Sequence, residues 1–134
     1  MSRDKYMQID TMHAKPKNNH GQEGYGYLHY QDMLWTSKNV FEKTHMKVSD
    51  NNKVLLEEVE RLIKFTEVTT IGEKTTMVRA VLQNDFEIIK TSSCVDIANY
   101  SMVIGEEICM GQIKDEIFYL LGFLLQTAIK GFRL

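Results

Sequence analysis

The chain has a single proline and two cysteines among 134 residues. One proline excludes a proline-rich linker or ligand tract. Two cysteines, Cys94 and Cys109, do not make a disulfide framework, so a reducing compartment is expected. Long hydrophobic runs are missing too. The longest spans residues 117–125 and is bounded by Glu116 and Gln126, under half of the roughly 20 residues a membrane helix needs. The first ten residues are polar and mixed in charge, so no secretory leader is expected. Nor is there an excess of one charge: 16 basic and 18 acidic side chains give a net charge of −2. That balance argues against a protein built to grip nucleic-acid phosphates. Residues 1–50 carry seven basic and six acidic side chains, and residues 51–134 carry nine and twelve, so neither half forms a charged arm.

Motifs of known chemistry are also scarce. His13, His20, His29 and His45 have no metal-ligand spacing, and no metal site is expected. Ser92-Ser93-Cys94 follows a strand pattern, yet no histidine occurs after His45 and there is no nucleophile elbow. Those side chains are read as turn and packing residues. Glu106-Glu107 and Asp115-Glu116 lack the spacing of a bundled carboxylate metal site and read as a solvated helix face. Gly24-x-Gly26 lies inside a strand pattern with no helix after it, so it is not a phosphate loop. No catalytic residue and no cofactor is expected.

What is present is ordinary globular material: 43% hydrophobic and 25% charged residues, enough for a core at this length. A short strand is read over residues 6–12. The turn formers of residues 15–21 read as irregular. Aromatic-rich runs over residues 24–30 and 33–35, around Gln31-Asp32, predict a hairpin. Thr36 and Ser37 are placed to cap a short helix carrying Val40 and Phe41. Asp50-Asn51-Asn52 reads as the start of an amphipathic helix over residues 54–64, with Leu55, Val59, Leu62 and Ile63 on one stripe. The clearest hairpin covers residues 75–91, with Asn84-Asp85 as a two-residue turn. A strand over residues 65–71 is expected to join its sheet. Ser101 caps a long C-terminal helix in which Ile104, Ile108, Ile113, Ile117, Leu120, Leu124 and Ala128 keep helical spacing. Thirty residues of helix span about 45 Å, while a compact domain of this length is about 36 Å across. The helix is therefore expected to break near Gly111 or Gly122, or to be covered by another subunit.

The residues with binding potential are Tyr25, Tyr27, Tyr30 and Trp35, beside His20 and His29. Such a group can stack on a purine or a peptide, and it can equally be the core of a module poor in aliphatics. Arg79 and Lys90 in the central hairpin are candidates to meet an anion, with Glu87 an alternative partner for Arg79.

From residue 59 to residue 129 the chain resembles a small family encoded by tailed bacteriophages. The pattern is an asparagine-glycine-phenylalanine turn, then S-A-C-V-D-x-x-N-F, then I-G opening a helix. The matching residues are Asn84-Asp85-Phe86, then Ser93 and Cys94-Val95-Asp96-Ile97-Ala98-Asn99-Tyr100, then Ile104-Gly105. Asp85 stands where the pattern has glycine. The first 48 residues resemble a second phage module through Ala14-Lys15-Pro16, Glu23-Gly24-Tyr25 with Tyr30, and the stretch from Trp35 to Glu42. In other phage proteins such a module precedes small domains, one of them similar to anti-Thoeris proteins that sequester a nucleotide-derived immune signal. Neither family supplies a catalytic residue to carry over.

The resemblance implies phage origin and action in the host cytoplasm. Phe86, Ser93 and Asn99 of the matching tract join Tyr25, Tyr27, Trp35, His20, Arg79 and Lys90 as candidate ligand residues. The expected fold is α+β: an aromatic module over residues 1–48, then a helix–hairpin–helix domain over residues 49–134. The expected function is counter-defence by binding, through sequestration of a small anionic nucleotide-derived signal, with inhibition of a host defence protein, of the anti-CRISPR or anti-restriction type, as the alternative. Neither a membrane nor a nucleic acid is an expected partner. A homo-oligomer is expected, built on the C-terminal helix.

Overall fold

The computed structural model describes residues 3–133. The fold is α+β, with two three-stranded antiparallel sheets, three α-helices and a short 3-10 turn. The chain divides into two compact units, one of residues 1–48 with residues 124–134, the other of residues 49–123.

In the first unit β1 (Ala14–Asn19), β2 (Gln22–His29) and β3 (Asp32–Ser37) form a meander ordered β1-β2-β3. The β1–β2 turn is His20-Gly21, both at positive φ, the form that matches strand twist. The strand expected over residues 6–12 is absent, and β1 occupies the stretch read as irregular. Pro16 is tolerated because β1 is an edge strand, where a missing N–H breaks no interior ladder. The second turn is Tyr30-Gln31, one residue earlier than expected, with Tyr30 at φ +56°. Helix α1 (Lys38–Thr44) follows at once, with Ser37 at its N-cap position but no side-chain capping bond. Phe41 is the buried hydrophobic residue of this helix.

In the second unit Asp50 to Asn52 does not start a helix. The Ser49 hydroxyl accepts the Lys53 amide at 2.8 Å and closes a turn around them. Helix α2 (Leu56–Leu62) is shorter than expected, because Ile63 and Lys64 belong to β4 (Ile63–Ile71). Strands β4, β5 (Thr75–Leu82) and β6 (Glu87–Ser93) form the expected antiparallel sheet, with β5 central. The hairpin loop holds three residues rather than two. The Leu82 amide donates to the Phe86 carbonyl at 2.8 Å, and the left-handed position falls on Asp85, φ +68°. The Asn84 side chain accepts the Phe86 amide at 3.0 Å.

Helix α3 (Met102–Lys130) is continuous; neither Gly111 nor Gly122 breaks it. Ser101 caps it as expected, its hydroxyl accepting the Ile104 amide at 3.3 Å. Within the second unit its buried stripe is Gly105, Cys109, Ile113, Ile117 and Leu121, one residue every four. Ile104 and Ile108, which keep helical spacing in the sequence, are exposed instead. The stripe lies on the sheet face that carries Thr76, Val78, Ala80 and Ile88. Gly105 is what lets the helix down onto that face: a Cβ there would stand 2.6 Å from Thr76 Cβ.

Candidate functional site

A cleft opens in the second unit where the family-like tract meets the head of α3. Its volume is about 90 Å³, and Ser93, Asn99, Tyr100, Thr76 and Gly105 are among its walls. Three of its hydroxyls, those of Tyr100, Thr76 and Ser93, are engaged with other hydroxyls. Tyr100 Oη lies 2.7 Å from Thr70 Oγ1 and 3.0 Å from Thr76 Oγ1, and Ser93 Oγ lies 2.6 Å from Thr75 Oγ1. Asp96 accepts the Ala98 amide at 2.9 Å and so caps the 3-10 turn over Ile97–Asn99. The tract thus does structural work at several points: Asn84 closes the hairpin, Asp96 caps a turn, Tyr100 ties the chain to the sheet, and Gly105 makes room for Thr76. Thr76 was not singled out in the sequence and Tyr100 only as the end of the family-like tract, although a glycine in an i, i+4 apolar row is a readable sign of close approach.

Arg79 and Lys90 are not neighbours. Arg79 pairs with Ile89 and Lys90 with Val78, so they project from opposite faces of the sheet. Each already has acidic partners. Arg79 Nε donates to Glu87 at 2.5 Å and Arg79 Nη1 lies 3.1 Å from Glu67, while Lys90 Nζ donates to Glu116 at 3.3 Å. The hydrogen bond to Glu87 raises the pKa of Arg79 against the lowering effect of burial, and Glu67 adds in the same direction. The guanidinium also sits 5.9 Å from the centre of the Phe65 ring, within cation–π range. Phe86 stands exposed at the hairpin loop.

In the first unit, Tyr25 and Tyr27 gather on Phe41. Tyr25 stacks on it at 4.4 Å and Tyr27 is tilted against it at 5.7 Å. Tyr25 Oη donates to Glu42 at 3.2 Å, and Tyr27 Oη lies 2.8 Å from Thr36 Oγ1. Trp35 pairs with Gly26 and so belongs to the other face of the sheet. Its indole lies across Gly24 and donates to the Lys17 carbonyl at 2.8 Å. His20 sits exposed in the β1–β2 turn, and His29 stacks on the exposed Tyr30 at 4.6 Å. An open groove of about 370 Å³ runs beside Lys17, Asn18, Glu23, Tyr25 and Lys38, with Lys38 3.6 Å from Glu23.

Among the described residues, no three His, Cys, Asp or Glu side chains come together as a metal site, and no helix is long and apolar enough to cross a membrane. Cys109 is fully buried, and burial pushes its thiol pKa up, partly countered by a hydrogen bond from the Val78 backbone. Because the thiolate is the reactive form, native protein treated with a maleimide at neutral pH should label at the half-buried Cys94 and leave Cys109 unmodified until denaturant is added. Peptide mass mapping checks this, and equal labelling of both in the native state would contradict the burial.

No curated protein and no solved structure matches the chain. A protein-family comparison does match, over residues 54–129, more than half of the sequence and the part that holds both α2 and the β4-β5-β6 sheet. On that match, the chain belongs to the phage protein (N4 Gp49/phage Sf6 gene 66) family.

Proposed function

We propose that this phage protein is a counter-defence factor that works by binding, as an inhibitor seated on a host defence protein in the host cytoplasm, and not as an enzyme. The observation that carries the reading is the outer face of the β4-β5-β6 sheet. There Phe65 and Ile89 flank Arg79 and remain exposed. Arginine and aromatic side chains around an apolar neighbour are the composition of protein-binding hot spots. Glu67 and Glu87 accompany Arg79, so a partner covering the patch does not leave a bare buried cation. The cleft at the head of α3, at about 90 Å³, falls well below the roughly 300 Å³ at which small-molecule pockets begin.

The test is plating efficiency of a sensitive phage on hosts that each carry one defence system, with and without the protein. The wild type should restore plating on at least one host, and Ile89→Lys should abolish that rescue without lowering the thermal unfolding midpoint. Rescue undiminished in Ile89→Lys would refute the patch. A second reading, sequestration of a small nucleotide-derived signal, is favoured by the groove beside Lys17, Lys38 and Tyr25, whose volume is in the ligand range. Calorimetry with cyclic nucleotides and ADP-ribose derivatives decides it: heat lost in Lys17→Glu supports that reading, and no heat with any of them removes it.

A further inference from the structure

Along α3, off its buried stripe, Ile104, Ile108, Gly111, Asp115, Phe118 and Gly122 follow one another at intervals of four, three, four, three and four, and Ile104 and Ile108 also edge the cleft at the head of the helix. At about 100° per residue they all fall within about 40° of one line, half a turn from Ile113 in the buried stripe. This is the spacing of a helix-pairing seam. Ile104 is 58% and Ile108 45% exposed. At Gly111 and Gly122 a Cβ would meet nothing within 4 Å. Each glycine inside an exposed helix costs about 1 kcal/mol against alanine, and no contact among the described residues calls for one at either place.

We infer that this seam pairs with the same seam of a second copy of the chain, with the two helices antiparallel and crossing at the level of Ile113. In that register Ile104 faces Gly122 of the second copy, Ile108 faces Phe118, and Gly111 faces Asp115. Each pairing recurs with the roles exchanged, as an isologous two-fold contact requires. Both glycines then receive a larger side chain, and their lack of a Cβ brings the helix axes together. The one charge on the seam, Asp115, lies against a glycine, where its carboxylate can turn out to water. A parallel pairing would set Asp115 against Asp115 and each glycine against a glycine, joining like charges and leaving gaps. An unrelated partner gives no reason for the seam to complement its own reverse; a second copy does.

The inference is independent of the host-protein reading, and its tests use the full chain. Sedimentation equilibrium at micromolar concentration should give about 31 kDa, twice the 15.6 kDa of one chain. Gly111→Glu with Gly122→Glu should give 15.6 kDa and weaken association at least a hundredfold. Because both sites are open in the single chain, this variant should keep its far-ultraviolet circular dichroism. Ile104→Cys combined with Gly122→Cys should cross-link to a dimer on mild oxidation, while Ile104→Cys alone should not. A monomeric wild type, a dimeric double-glutamate variant, or cross-linking by Ile104→Cys alone would each overturn the inference.

Discussion

Gly105→Ala is expected to lower the stability of the second unit by at least about 2 kcal/mol. The new Cβ would stand 2.6 Å from Thr76 Cβ and closer still to Thr76 Oγ1. Thr76 is fully buried on the central strand, with Oγ1 3.0 Å from the Tyr100 hydroxyl, so it has no free rotamer to retreat into. Overpacking of this kind costs about 1–3 kcal/mol and sometimes more. The better helix propensity of alanine returns only about 1 kcal/mol, so the overlap should dominate. For a unit of this size the melting point should fall by about 8–16 °C. Urea unfolding followed by circular dichroism measures the change. Thr76→Ala should not rescue it, because the remaining Cβ is still too near, whereas Thr76→Gly should recover part of the loss as a favourable coupling in a double-mutant cycle. An unchanged midpoint in Gly105→Ala would show that α3 does not lie against β5 at this point.

Much of the second unit was legible because its signals are periodic. Residues 75–91 alternate cleanly, and Ser101 stands one residue before α3, so both features emerged where the pattern placed them. What the pattern missed was the length of one loop. A two-residue turn at Asn84-Asp85 would set Arg79 directly opposite Lys90, and the pair would make a plausible anion grip. The actual loop takes in Gln83 as well, which slips the register by one. Lys90 then turns to the helix side and pairs with Glu116, while Arg79 stays on the outer side between Glu67 and Glu87. A one-residue slip reverses every side chain on a strand, so candidate sites assembled across a hairpin are only as good as its loop. The deciding residue was Asp85, a non-glycine residue at positive φ where the family-like pattern has glycine. The continuity of α3 was left open for a different reason: the choice between a break and a helix covered by another subunit rested on the diameter of one compact body, and the chain forms two units. β1 was hidden because the aromatic strand beside it, not its own propensity, recruits it into the sheet.

In the first unit, Gly24→Ala should be as damaging as the change at Gly105, and Gly26→Ala should be nearly silent. A Cβ on Gly24 would stand 2.5 Å from both the Thr36 carbonyl oxygen and Trp35 Cε2. Main-chain oxygen cannot swing aside without moving β3, and the indole cannot leave without surrendering its bond to the Lys17 carbonyl. Truncating Trp35 therefore should not rescue the variant. At Gly26 the nearest atom is Lys17 Cδ at 3.3 Å, part of a flexible chain that can give way. The two positions share a face and differ by one pleat, so strand propensity acts alike on both and only the contact at Gly24 separates them. The loss at Gly24 should be about 2–3 kcal/mol, a large fraction of what a small sheet with one buried aromatic can hold. Trp35 is the only tryptophan of the chain, so its fluorescence reports this unit. Gly24→Ala should shift the emission to the red and move the unfolding transition to lower urea, while Gly26→Ala leaves the emission in place and the stability within about 0.5 kcal/mol of the parent. Equal effects at the two glycines would mean that the indole does not lie across Gly24, and with it would go the account of why a glycine pair sits in the middle of β2.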